Sequence, residues 1–152
     1  MNNNTFYYAT YIAATPENVW KALTSGEFTE KYFFGSKVES DWKEGSKVTY
    51  YRPSNEVDVY GTVLASEENK LLSFTWNHVD DPLEREEPTL VTFELVEMKD
   101  TVKLTLKHEK LADSDIVADT STFYGANNGW PAIISNLKSL LETGKTLPAV
   151  EV

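Results

Sequence analysis

Apolar and polar positions alternate along much of the middle of the chain. In "KLLSFTWNH" (70–78) Leu72, Phe74, Trp76 and His78 share one face. In "TLVTFELVEM" (89–98) Val91, Phe93 and Leu95 do so, and in "TVKLTLKHEKL" (101–111) Val102, Leu104, Leu106 and His108. A period of two predicts strands with one buried and one wet face. "SKVTYYR" (46–52) and "VDVYGTVLAS" (57–66) read as further strands, and the β-branched and aromatic run "TFYYATYIA" (5–13) as the first. The turn segments "KEG", "RPSNE", "SEENK", "DDPLEREEP" and "MKD" separate them. Connections this short favour an antiparallel meander.

Elsewhere the period lengthens to that of a helix. In "ATPENVWKALTSG" (14–26) Thr15 reads as the N-cap and Pro16 as the first helical residue. Asn18 stands where a capping-box glutamate would normally be, and Val19, Trp20 and Leu23 form the apolar side. "EFTEKYFFG" (27–35) predicts a second short helix closed by Gly35. Near the end, "NNGWPAIISNLKSLLETGK" (127–145) sets Trp130, Ile133, Ile134, Leu137, Leu140 and Leu141 on one stripe, with Gly144 and Pro148 as stop signals. The polar stretch "ADSDIVADTSTFYGANN" (112–128) reads either as a loop or as holding the start of the last helix, in which case Pro131 is a kink. The order is strand, two short helices, several antiparallel strands and a long helix. That predicts a single α+β domain over residues 1–152. Only the terminal helix is long enough to cover the apolar face of the sheet, so it is expected to lie across it.

Composition narrows the functions. Twenty-four acidic against 14 basic residues give a formal net charge of −10, which opposes binding to nucleic acid. There is no cysteine, so neither a disulfide framework nor a thiolate metal site is available. No segment has the length and apolarity of a membrane span or the pattern of a signal peptide, and a soluble cytoplasmic protein without membrane insertion is expected. No GxSxG, HExxH, phosphate-binding glycine loop or dinucleotide fingerprint occurs, and no catalytic residue is assigned. "HVDD" after Asn77 lacks a second histidine, and no metal or cofactor is expected. Asp113 and Asp115 have no basic neighbour in sequence and read as loop. "DDPLEREEP" reads as a solvated hairpin loop or as a lid beside a pocket mouth.

Four segments in order, "ATPENVWKALT", "YGTVLASEENKLLSFTW", "TVKLTLKHEKL" and "GWPAIISNLKSLLETG", resemble the bacterial proteins related to the activator of the heat-shock protein 90 ATPase. These belong to the helix-grip (START/SRPBCC) superfamily. The resemblance implies a curved antiparallel sheet wrapped around the C-terminal helix, two short helices closing one end, and often a deep apolar pocket between helix and sheet. It departs from the family at "KYFFG", where many relatives carry tryptophan, and at "KEGSK", which has one glycine where many have two. The function it implies is a binding protein that encloses an apolar or aromatic small molecule. Phe33, Phe74, Trp76, Phe93, Leu106, Trp130 and Ile134 are the expected lining, with His108 as a polar anchor. Core filling alone is the competing role for these side chains. Gly61, Ala65, Gly129 and Ala132 either leave space for a ligand or allow close backbone packing. Two other functions compete: a cyclase or aromatase enzyme using His108, His78 or tyrosines, and a stress-response role in contact with a chaperone.

Overall fold

Seven strands form one antiparallel sheet in the computed structural model, which describes residues 4–148. The strands are β1 (Asn4–Ile12), β2 (Lys37–Glu39), β3 (Lys47–Tyr51), β4 (Val57–Glu67), β5 (Leu71–His78), β6 (Thr89–Met98) and β7 (Thr101–Leu111). Their spatial order is β1-β7-β6-β5-β4-β3-β2. The last strand thus returns beside the first, and two helices, α1 (Pro16–Thr24) and α2 (Gly26–Tyr32), carry the chain from one edge of the sheet to the other. The terminal helix α3 (Ala126–Thr143) lies against β1, α1 and α2. This is the expected α+β helix-grip architecture, a curved sheet around a C-terminal helix.

The alternation read from the sequence sorts the two faces of the sheet. Leu72, Phe74 and Trp76, then Val91, Phe93 and Leu95, then Val102, Leu104, Leu106 and His108 are all buried. His78 continues the β5 face but is exposed at its end. On α3 the stripe divides, with Trp130, Ile134 and Leu137 fully in the core and Ile133, Leu140 and Leu141 packed half-buried against it. The α1 cap is as expected, with the Asn18 amide donating to Thr15 Oγ1 at 3.2 Å.

Three features depart from the sequence reading or settle it. First, β2 is an unanticipated strand of three residues. It has a single buried apolar side chain, Val38, so no alternation could reveal it, and it is fixed by pairing to β3 and by the Val38 amide donating to Thr29 Oγ1 at 3.0 Å. Second, α3 begins at Ala126, so Pro131 lies inside the helix and 112–125 is loop with one 3₁₀ turn at Asp113–Asp115. Third, Gly61 leaves no space. A Cβ there would lie 1.7 Å from the Thr75 carbonyl oxygen, so glycine is required by the close approach of β5. Register slips between Val63 and Ala65 close by, and again between Tyr50 and Tyr51, where the ladder bends.

Candidate functional site

At one end of the sheet, β5 and β7 run out beneath the first turns of α3, and the loop 112–125 crosses above them. Between these elements is a cleft of about 540 Å³. Its inner wall is aromatic. Phe33, in the turn after α2, lies 5.9 Å edge-on to Trp130 and 6.2 Å from Trp76, and the two indoles are 5.1 Å apart. Its outer wall is the loop, contributing Val117, Phe123 and Tyr124. Its third side is the 80–88 loop, contributing Asp80, Asp81, Pro82 and Arg85.

A bulge prepares this end of β7. Phe6 pairs with His108 but Asn4 pairs with Leu111, and Lys110 takes a positive φ of 64°. The extra residue turns Leu111 inward although it stands an odd number of positions after His108, and both line the cleft.

His108 sits in a chain of hydrogen bonds whose direction is fixed by chemistry. The Trp130 indole N–H can only donate, and it meets His108 Nδ1 at 3.0 Å. The imidazole proton is therefore on Nε2, which donates to Thr89 Oγ1 at 2.8 Å. The threonine hydroxyl in turn donates to the Trp76 carbonyl oxygen at 2.8 Å. A second proton on the ring would set N–H against N–H at Trp130. Burial pushes the His108 pKa down to about 3; the nearby Asp115 carboxylate opposes this, and His78 and Arg85 reinforce it. His108 is thus neutral, with one tautomer, at any ordinary pH.

The mouth is tied by charge. Arg85 donates from Nη1 and Nη2 to both oxygens of Asp115, at 2.7 and 2.8 Å, and from Nε to Asp81 Oδ2 at 2.5 Å. This joins the 80–88 loop to the 112–125 loop with largely buried side chains. Burial raises the carboxyl pKa of both Asp81 and Asp115, but hydrogen bonds from Arg85 and from backbone amides outweigh it and leave both below the usual carboxylate value. The outer loop is also clasped to α3. Asn127 accepts from the Val117 amide at 2.9 Å and donates to its carbonyl at 2.8 Å, pairing with it as a neighbouring strand would. Gly125 at φ +90° makes room, since a Cβ there would meet Asn127 Oδ1 at 2.7 Å and Val117 at 2.8 Å.

Of the residues expected to line a site, the structure brings Phe33, Trp76, His108 and Trp130 to the cleft. Phe74, Phe93, Leu106 and Ile134 are placed in the packed core beneath it, none more than 3% exposed, and do not line it. The space is at the end of the helix-sheet gap, because side chains fill the middle. Gly129 does border the cleft, where an added Cβ would meet only the Phe123 carbonyl oxygen at 3.4 Å. Thr89, Arg85 and Asp115 were not anticipated. Asp115 has a basic partner after all, 30 residues away across the mouth. The signal available for Arg85 was its position as the single base among the five acids of "DDPLEREEP". Among the described residues no three His, Asp or Glu side chains gather as a metal site, and no helix is long and apolar enough to cross a membrane.

A curved sheet gripping a C-terminal helix, open at one end into an aromatic cleft, defines a helix-grip protein of the START type. The profile of the family described as activator of Hsp90 ATPase homolog 1-like protein matches residues 13–142, and the chain belongs to that family. Solved structures agree in fold. Protein MLL2253 from Mesorhizobium loti is 27% identical with a TM-score of 0.72, over 91% of this chain and 96% of that one. ChR145 from Cytophaga hutchinsonii is 26% identical with a TM-score of 0.70, over 95% and 98%. An HSP90 activator from Plasmodium falciparum is 22% identical with a TM-score of 0.69, over 90% and 95%. No curated protein matches the sequence.

Proposed function

We propose that this protein is a cytoplasmic binding protein that holds an apolar or aromatic small molecule in the end cleft. The observation that carries this is the cleft itself: about 540 Å³, within the range of small-molecule sites, walled by Phe33, Trp76 and Trp130 and containing a few satisfied polar groups. Both His108 nitrogens are committed, so the ring orients its neighbours and is not free to move a proton. Thr89, which lines the cleft, keeps a second lone pair to accept from a ligand.

The test is native mass spectrometry of the purified protein for a co-purified molecule, followed by calorimetry with flat aromatic compounds. Binding is expected with a negative heat-capacity change and a rise in melting temperature. Gly129→Leu suits a helix and fills the cleft, and is expected to abolish that binding while the fold persists. Binding unchanged in Gly129→Leu, or no binder at all, would remove the reading.

A second reading, contact with a chaperone ATPase, draws on the family description and on one observation. The Phe34 and Phe123 rings lie 6.3 Å apart, tilted by 41°, at the mouth, 51% and 38% exposed, beside a Tyr124 that is 78% exposed. Stimulation of a purified heat-shock protein 90 ATPase that is lost in a Phe34→Ser, Phe123→Ser variant is the expected result under that reading, and no stimulation by the wild type would end it.

A further inference from the structure

Resting on that reading of the cleft, we propose that its ligand is a cationic aromatic, a flat ring system carrying a protonated amine or a charged ring nitrogen. The same cleft would reject molecules of like shape that carry a carboxylate or a phosphate.

The lining charges set this preference. Asp80, Asp81 and Asp115 border the cleft, and Arg85 is the one arginine or lysine among the described residues of its lining. Arg85 is not available to an anion, because its fork is closed on Asp115 and its Nε on Asp81. Arg52, the neighbouring guanidinium, is shared between Asp58 and Asp80. In this wider group four carboxylates face two guanidiniums, which leaves an excess of two negative charges. The 80–88 loop adds Glu84, Glu86 and Glu87, of which only Glu87 meets a lysine, Lys110. His108 cannot become the missing cation, because protonation would set its Nδ1–H against the Trp130 N–H. A carboxylate ligand would therefore have to displace an aspartate from Arg85, or enter without a partner.

A cation meets the opposite situation. The faces of Trp76, Trp130 and Phe33 attract positive charge through their ring quadrupoles. Asp80, with 73% of its side chain exposed at the rim, draws a cation inward from solvent. The aromatic body and the acidic rim together describe one ligand with an apolar ring at one end and a positive group at the other.

The experiment compares three naphthalenes of one shape by calorimetry at pH 7.5 in low salt: 1-naphthylmethylamine, 1-naphthalenemethanol and 1-naphthoate. The amine is expected to bind about tenfold more tightly than the alcohol, with no binding of the naphthoate. Asp80→Asn, an exposed change, is expected to weaken the amine about threefold and leave the alcohol unchanged. Added salt is expected to narrow the gap between amine and alcohol. If the alcohol binds as tightly as the amine, the charge preference is wrong while the cleft reading stands. Tightest binding by the naphthoate would likewise overturn it and would point to Arg85 as an anion site. Failure of all three to bind would overturn both.

Discussion

Thr89 belongs to no motif, yet the polar end of the cleft depends on its hydroxyl. That group accepts from His108 and donates to the Trp76 carbonyl. Thr89→Val keeps the shape and removes the oxygen, leaving the His108 Nε2–H buried without a partner and taking one hydrogen bond from the Trp76 carbonyl. A loss of about 1–3 kcal/mol is expected in urea denaturation, with Thr89→Ser recovering most of it. His108 makes a second prediction possible. Its folded pKa of about 3 lies below the ordinary 6.5, so between those values the unfolded chain binds more protons than the folded one. Its contribution to stability is fully present above pH 6.5 and is lost as pH falls toward 3, with a slope that approaches about 1.4 kcal/mol per pH unit. Asp81 and Asp115, both held below the usual carboxylate value, add their losses only under about pH 4. A pH series of denaturation midpoints should therefore begin to decline near pH 6.5 in the wild type. In His108→Phe the decline should begin near pH 4. The same early decline in both proteins would show that His108 is not the source.

At the scale of elements, β4 and β5 are held close by the absence of one side chain. Gly61→Ala would drive a methyl into the Thr75 carbonyl, and a loss of about 1–3 kcal/mol or more is expected, measured by thermal unfolding. Gly45→Ala meets no atom within 4 Å, but its φ of +89° still carries strain, so it serves as a backbone control without the collision. The elements themselves were legible where periodicity is strong: the faces of β5, β6 and β7, the Thr15 cap, and the α3 stripe ending at Gly144. β2 escaped because one buried valine has no period. The cleft was legible in part. Aromatic residues and a histidine on inward faces are visible in sequence, and Phe33, Trp76, His108 and Trp130 do meet there. Which inward residues pack and which border space is decided by where the α3 N-terminus, the 112–125 loop and the 80–88 loop converge. No local pattern encodes that convergence, since the Arg85–Asp115 tie joins segments 30 residues apart and the Asn127–Val117 pair folds the loop back onto α3.

Across the whole molecule the net charge of −10 governs the long-range electrostatics. Several cations are already engaged, Arg52, Arg85, Lys107, Lys110 and Lys138 among them. The remaining carboxylates repel one another through solvent, and salt screens that repulsion. Raising sodium chloride from 10 to 300 mM, concentrations that shrink the screening length from about 30 Å to under 8 Å, is expected to stabilise the fold. The melting temperature should rise by about 2–4 °C, the shift that about 1 kcal/mol produces in a domain of this size. A fall over that range would mean that the ion pairs at the mouth outweigh the global repulsion.

The placement of β1 beside β7 has a consequence in time. Ile12 pairs with Val102 and Tyr8 with Leu106, so the first strand to be synthesised closes against the last. At a synthesis rate of about 5–20 residues per second, its partner emerges roughly 5–20 s later. For that interval the aromatic and β-branched run "TFYYATYI" has no β7 ladder to join, and the short helices α1 and α2 lack α3 to pack against. Closure over so long a loop is intrinsically slow, because its entropy is lost before the β1–β7 contacts are gained.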